Sequence, residues 1–161
     1  MSAAPQPIEL REGGVQDLPS VNRIMQAAFD PAFGEAWTQP QCMGMMALSG
    51  VWLLVASIGG RDCGFAMARA MLDEAELLLL ATSPAARGHG IGSALLRAVI
   101  AESRNRGAAK LHLEVRAGNG AIRLYRREGF EKVGERRGYY RGTSGQSFDA
   151  LTLARSLPQK L

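Results

Sequence analysis

Apolar residues recur along the chain with two periods, and the switches between them mark the elements. Alternation in residues 8–13, IELREG, predicts a first strand. In 15–29, VQDLPSVNRIMQAAF, the spacing places Val21, Ile24, Met25 and Ala28 on one face of a helix. A loop with Pro31 and Gly34 follows. Thr38, with Gln41 three residues on, is a capping-box signature for a short Met-rich helix that ends near Gly50, and its methionines are expected to fill core gaps. Three strand-like runs come next, 51–57, 63–72 and 74–82, spaced closely enough to imply an antiparallel meander. Residues 91–106 carry Ile91, Leu95, Ala98 and Val99 on one helical stripe and stop at Gly107, a C-terminal glycine cap. KLHLEVR, 110–116, alternates strictly, and NGAIRLYRREGF, 119–130, reads as a short helix capped by Asn119 and ended by Gly129. FEKVGER and SFDALTLA close the chain as two strands around the turn-rich RGTSGQ.

The order βααβββαβαββ places the chain in the α/β (α+β) class, with a mixed sheet of seven strands and helices on both faces. No repeat, low-complexity tract or linker divides it, so residues 6–155 are expected to form a single domain. Its 161 residues, 47% hydrophobic and 21% charged, suit one core. The longest apolar run, LLLLA at 77–81, is far short of the roughly 20 residues that cross a bilayer, and MSAAPQPIELREGG lacks a basic-then-apolar signal pattern. The chain is therefore expected to be soluble and cytoplasmic, with no membrane partner. Cys42 and Cys63 sit in no CxxC or Cys/His pattern, so they are expected to be buried thiols, with no metal site. Net charge is +4, and the excess is arginine, sixteen against three lysines. The planar guanidinium fork suits phosphates and carboxylates, which points to a phosphorylated cofactor, nucleic acid or an acidic surface.

The candidate chemistry begins at ARGHGIGSALL, residues 86–96. A strand, a glycine-rich turn and a helix N-terminus form an anion site, because first-turn N–H groups have no intrahelical partners and the helix dipole is positive there. Gly88, Gly90 and Gly92 would let backbone amides approach a diphosphate. The Walker form is absent, since no lysine follows the glycines, and Ser93 stands where a dinucleotide fingerprint needs its third glycine. On the strand 110–116, His112, Glu114 and Arg116 share one face opposite Leu111, Leu113 and Val115, which suggests a wet cleft rather than packed core.

RGHGIG resembles the acetyl-coenzyme A loop, R/Q-x-x-G-x-G/A, of the GCN5-related N-acetyltransferase (GNAT) family, with Arg87, Gly90 and Gly92 at the defining positions. The element order matches that fold throughout. LDEAELLLLATSPAARGHGIGSALL, LEVRAGNGAIRLYRREGF and RRGYY are similar to the bacterial members that acetylate the N-terminal alanine of ribosomal protein S18. The likeness covers most of 6–155 and is strongest over 72–140.

What the resemblance implies is a cleft where strands 74–82 and 110–116 splay apart. The pantetheine arm of acetyl-CoA would bond there to main-chain groups of Leu80, Ala81 and Thr82, and a main-chain N–H at 81 or 82 would face the reacting carbonyl oxygen. Arg87, Gly88, His89, Gly90, Ile91, Gly92 and Ser93 would hold the diphosphate, His89 through its backbone alone, and Asn119 would add a cofactor contact. One departure stands out: Tyr125 follows Asn119 one residue sooner than in relatives. Glu114 matches the general base that takes the amine's proton, and Tyr125 the general acid for the departing sulfur. Trp37, Tyr139 and Tyr140 would border the acceptor peptide. The implied acceptor is a protein N-terminal α-amine, possessing a pKa of about 7.7 to 8.0 against about 10.4 for lysine, so far more of it is free base at neutral pH. A small-molecule amine, a lysine side chain, or a non-catalytic RNA- or anion-binding role stand as alternatives, and no specific DNA partner is expected. Arg123, Arg126 and Arg127 share a helix surface that is either solvated or a contact for acidic protein or RNA.

Overall fold

The computed structural model describes residues 6–158; the start of the segment read for a leader lies outside them. The strands are β1 (Ile8–Gly13), β2 (Val51–Ile58), β3 (Arg61–Met71), β4 (Glu74–Thr82), β5 (Lys110–Arg116), β6 (Glu131–Arg141) and β7 (Ser147–Ser156). The helices are α1 (Leu18–Ala28), α2 (Gln39–Met46), α3 (Ile91–Asn105) and α4 (Ile122–Arg127), with short 3-10 turns at Val15–Asp17, Pro31–Phe33 and Pro84–Ala86. The order is the one expected, and the seven strands form one sheet, β1-β2-β3-β4-β5-β7-β6. Among the described residues only β4 and β5 pair in parallel. Among the described residues no helix is long and apolar enough to cross a membrane.

Each face of the sheet carries its own apolar cluster. On one side Leu18, Val21, Ile24 and Met25 of α1 pack with Phe65 and Met67 of β3. On the other, Ile91, Leu95, Leu96 and Val99 of α3 pack with Ala66 and Ala68 of β3 and with Leu111 and Leu113 of β5. Two expected positions shift: Ala98 is only half-buried beside the α3 stripe, and Met43 of α2 is 50% exposed rather than filling the core. Thr38 and Gln41 do form the capping box, Thr38 Oγ1 accepting from Gln41 N–H at 3.2 Å and Gln41 Oε1 from Thr38 N–H at 2.7 Å. Asn119 does not cap α4. Its Oδ1 accepts from Ala121 N–H at 2.8 Å in a local turn, and the helix begins only at Ile122. A two-residue turn satisfied by the Asn side chain competes with helix entry at that point.

The feature that shapes the molecule is a bulge in β4. Met67 pairs with Leu79 and Ala68 with Leu77, so Leu78 is an extra residue on β4. A bulge reverses the side-chain alternation beyond it. Ala75 and Leu77 accordingly join the α3 cluster, whereas Leu79 and Ala81 join the α1 cluster. Pairing with β5 stops at the same place, the last partners being Leu77 and Leu113. Beyond them β4 runs to Thr82 and β5 to Arg116 with an opening between.

One wall of that opening is a loop laid backbone on backbone against the β6–β7 hairpin. Gly34 has φ +69°, and a Cβ there would fall well inside contact with the Arg141 carbonyl oxygen; Gly142 stands in the same relation to the Ala32 carbonyl. Thr143 N–H donates to the Pro31 carbonyl at 3.3 Å, and the Phe33 ring meets Phe148 edge-on at 5.2 Å. Gly34→Ala combines left-handed strain with overpacking and should cost about 3 kcal/mol. Gly44, inside α2 with open space around it, should instead stabilise by about 0.5–1 kcal/mol when changed to Ala. Urea midpoints moving in opposite directions for the two variants would bear this out.

Candidate active site

The opening between β4 and β5 is a cleft of about 570 Å³. Leu80, Ala81 and Thr82 line it from β4, Glu114 from β5, and Asn119 and Tyr125 from the segment around α4. Trp37, Tyr139 and Tyr140 line it from the loop and hairpin side. Arg87 and Gly92 connect it to a smaller recess of about 230 Å³ formed with Gly88, Gly90, Ile91 and Ser93. His89 lines neither; its ring Nδ1 lies 3.0 Å from the Ala86 carbonyl, folded back on its own loop. Residues scattered over more than a hundred positions thus meet in one groove.

The glycine loop is built for its shape. Gly88 and Gly90 hold φ of +84° and +81°, and nothing lies within 4 Å of where their Cβ atoms would be. Conformation, not crowding, demands glycine there, and the space in front stays open. Gly92 differs, since a Cβ would come within 3.2 Å of Leu124 Cδ2. The first helical bond of α3 runs from Ala94 N–H to the Gly90 carbonyl at 3.0 Å, so the amides of Ile91, Gly92 and Ser93 have no intrahelical acceptor. This cradle fits a diphosphate. Arg87 stands beside it, its Nη2 3.3 Å from the Ala28 carbonyl.

Glu114 is held at both oxygens. Thr152, its register partner on β7, donates from Oγ1 to Oε2 at 2.9 Å, and Arg136 Nε lies 3.2 Å from Oε1. The carboxylate side chain is 15% exposed and that of Arg136 63%, so one restraint is inside the sheet and the other is free to move outward. Tyr125 is buried and packs edge-on against Phe130 at 5.9 Å. Burial, reinforced by nearby Tyr140 and Glu35, pushes its phenol well above the ordinary range. Tyr140 is pushed up likewise, chiefly by burial, and its hydroxyl donates to the Glu114 carbonyl at 3.3 Å. Adjacent strand residues should face opposite ways. Register is lost between Arg136 and Tyr140, with Gly138 at φ +60°, and this irregularity lets Tyr139 and Tyr140 both reach the cleft, their rings 5.0 Å apart.

Glu35 has no signature in the sequence, yet it is the cleft's other enclosed carboxylate, its side chain 10% exposed. Arg116 Nε lies 2.9 Å from Oε1, and Asn119 Nδ2 donates to Oε2 at 2.7 Å. The Arg116 guanidinium also stacks 3.8 Å over the Phe33 ring. Asn119, expected as a cofactor contact, lines the cleft while its side chain bonds to Glu35 and Ala121. Arg116 belongs to the ionisable face read from the strand pattern, and its partner comes from a loop that no periodicity could place. His112, on the same face, pairs with Glu76 at 3.7 Å. Among the described residues no cluster of metal-ligating side chains occurs, and both cysteines are buried and free.

A model of the acetyltransferase (GNAT) family matches residues 18–130. The [Ribosomal protein bS18]-alanine N-acetyltransferase of Escherichia coli K12 is 44% identical over 96 residues, 59% of this chain and 64% of that protein. The N-alpha-acetyltransferase RimI of Mycobacterium tuberculosis is 40% identical over 105 residues, 62% of this chain and 63% of that protein. The matched segment therefore spans somewhat under two thirds of these relatives. The crystal structure of the Escherichia coli ribosomal-protein-S18-alanine N-acetyltransferase superposes with a TM-score of 0.85 at 33% identity, covering 96% of this chain and 97% of the other.

Two outcomes follow from the site's electrostatics. Because the folded state holds the Tyr125 proton more tightly than the unfolded chain, whose value is near 10.0, the stability it contributes is complete below that pH. It is lost as pH rises toward the folded value, at roughly 1.4 kcal/mol per pH unit. Tyr125→Phe should flatten this alkaline decline, measured as urea midpoints at about pH 9 and pH 11. Glu35→Ala leaves the enclosed Arg116 without its partner and should cost about 2 kcal/mol, whereas Glu35→Gln, which keeps the Asn119 acceptor, should lose less in the same unfolding measurement.

Proposed function

The chain belongs to the GNAT family of acetyltransferases, and on that footing we propose that it transfers acetyl from acetyl-CoA to the α-amine of a protein N-terminus, with an alanine terminus of ribosomal-protein S18 type as acceptor. The parting of β4 from β5 beyond Leu77 and Leu113 carries the reading, because it sets Glu114 and Tyr125 in one groove whose far end is the glycine cradle.

The coenzyme, when bound, supplies an acetyl thioester. Arg87 and the backbone from Gly88 to Ser93 hold its diphosphate, and the unpaired edge of β4 from Leu80 to Thr82 receives its arm. Trp37, Tyr139 and Tyr140 border the acceptor backbone. Glu114 takes a proton from the attacking amine as the carbon–nitrogen bond forms, and Thr152 fixes the carboxylate that does so. Tyr125, kept protonated by burial, gives its proton to the sulfur as the carbon–sulfur bond breaks. One proton enters at Glu114 and one leaves at Tyr125, so the cycle closes by exchange with solvent and no acyl-enzyme is required. An α-amine suits a site with a single base, since its pKa lies about two to three units below that of lysine. The activity named for the Escherichia coli relative supports the same acceptor.

Incubation with acetyl-CoA and three acceptors tests this: a peptide with a free N-terminal alanine, the same peptide N-blocked with an internal lysine, and a polyamine. Mass spectrometry should find acetyl on the first alone; rapid turnover of the polyamine without peptide product would replace the proposed acceptor. Glu114→Gln should lower turnover by about 10²-fold or more while calorimetry finds coenzyme affinity unchanged.

A further inference from the structure

The three arginines of α4 divide unequally between solvent and the recess beside the glycine loop. Arg123, Arg126 and Arg127 are all exposed, but only Arg127 lines the recess, together with Arg87, Gly88 and Gly90. Leu124 accounts for the difference. It precedes Arg127 by three residues, so the two share a helix face, and its Cδ2 lies against Gly92 at the start of α3. The face of α4 that packs on the cradle is therefore the face that carries Arg127.

Nothing in the neighbourhood neutralises this guanidinium. The adjacent carboxylate, Glu128, is taken by Arg97 Nε at 3.0 Å, and its main-chain carbonyl by Arg155 Nη1 at 2.8 Å. Among the described residues no carboxylate pairs with Arg127. An uncompensated planar cation thus stands at the rim of a recess whose other side presents open backbone amides, which is the donor set of a phosphate site.

Building on the coenzyme reading above, we propose that Arg127 is a specificity residue for the coenzyme, its guanidinium taking a phosphate oxygen of coenzyme A from the α4 side of the recess. Arg126, one position away, points elsewhere and takes no part. The contact is solvent-exposed, so its worth is about tenfold in affinity and declines with salt.

Isothermal titration calorimetry on the full chain tests this with coenzyme A and dephospho-coenzyme A as ligands. Arg127→Ala should bind coenzyme A about tenfold more weakly than the unsubstituted protein, and Arg126→Ala within about twofold of it, with the gap narrowing as salt rises. Equal weakening toward both ligands would assign the contact to the diphosphate, and weakening toward coenzyme A alone would assign it to the 3′-phosphate; either upholds the inference. Unchanged affinity in Arg127→Ala, or an equal loss in Arg126→Ala, overturns it while leaving the coenzyme reading intact. Failure of the unsubstituted protein to bind either ligand overturns that reading and this inference with it.

Discussion

A β-sheet seals itself wherever its ladder is unbroken, so a groove through its middle requires an interruption. Here the interruption is one residue, Leu78. Its insertion ends the parallel pairing of β4 with β5 and turns Leu79 and Ala81 toward the α1 side, where a second apolar cluster receives them. The main-chain groups along the freed edge of β4 lose their strand partners, a cost that a sheet interior does not bear without return. An extended ligand arm lying along that edge would restore those bonds, which ties the local irregularity to the proposed chemistry.

The rest of the site is arranged so that charge is fixed where it is wanted. Glu114 lies just beyond the last β4–β5 pair, with β7 supplying the Thr152 hydroxyl opposite it. Glu35 is neutralised by Arg116 and steadied by Asn119, so the loop that carries it is bound to β5 and to the segment leading into α4. Tyr125 is kept neutral by the same enclosure that excludes water from its ring. The two groups proposed as base and acid thus stand in different surroundings, Glu114 in hydrogen bonds with its neighbours and Tyr125 among apolar side chains.

Periodicity made α1, α3 and β5 legible, because each has one wet and one dry side, whereas β3, buried on both faces, showed only as an apolar run between turns. The glycine loop was legible too, since left-handed backbone narrows the choice of residue at Gly88 and Gly90. The two-sided pattern of β5 disclosed Glu114 and Arg116, but not Thr152, which is visible only once β7 is paired against it. Four hydrophobic residues in a row, Leu77–Leu80, hide the bulge, because alternation cannot be read where every position is apolar. Asn119 is ambiguous for a related reason: an asparagine before a helix either caps it or makes its own turn, and its second partner, Glu35, lies eighty-four positions away in the sequence.

The interlock of Gly34 and Gly142 has a consequence for how this wall of the cleft can change. Because two main chains touch with no side chain between them, neither segment has slack to absorb an insertion or a larger residue in the other. Residues 30–37 and the tip of the hairpin around 141–143 form a single exchangeable module. A chimera that imports one without the other inherits a misfit, whereas transplanting the pair together carries the pocket's contour intact.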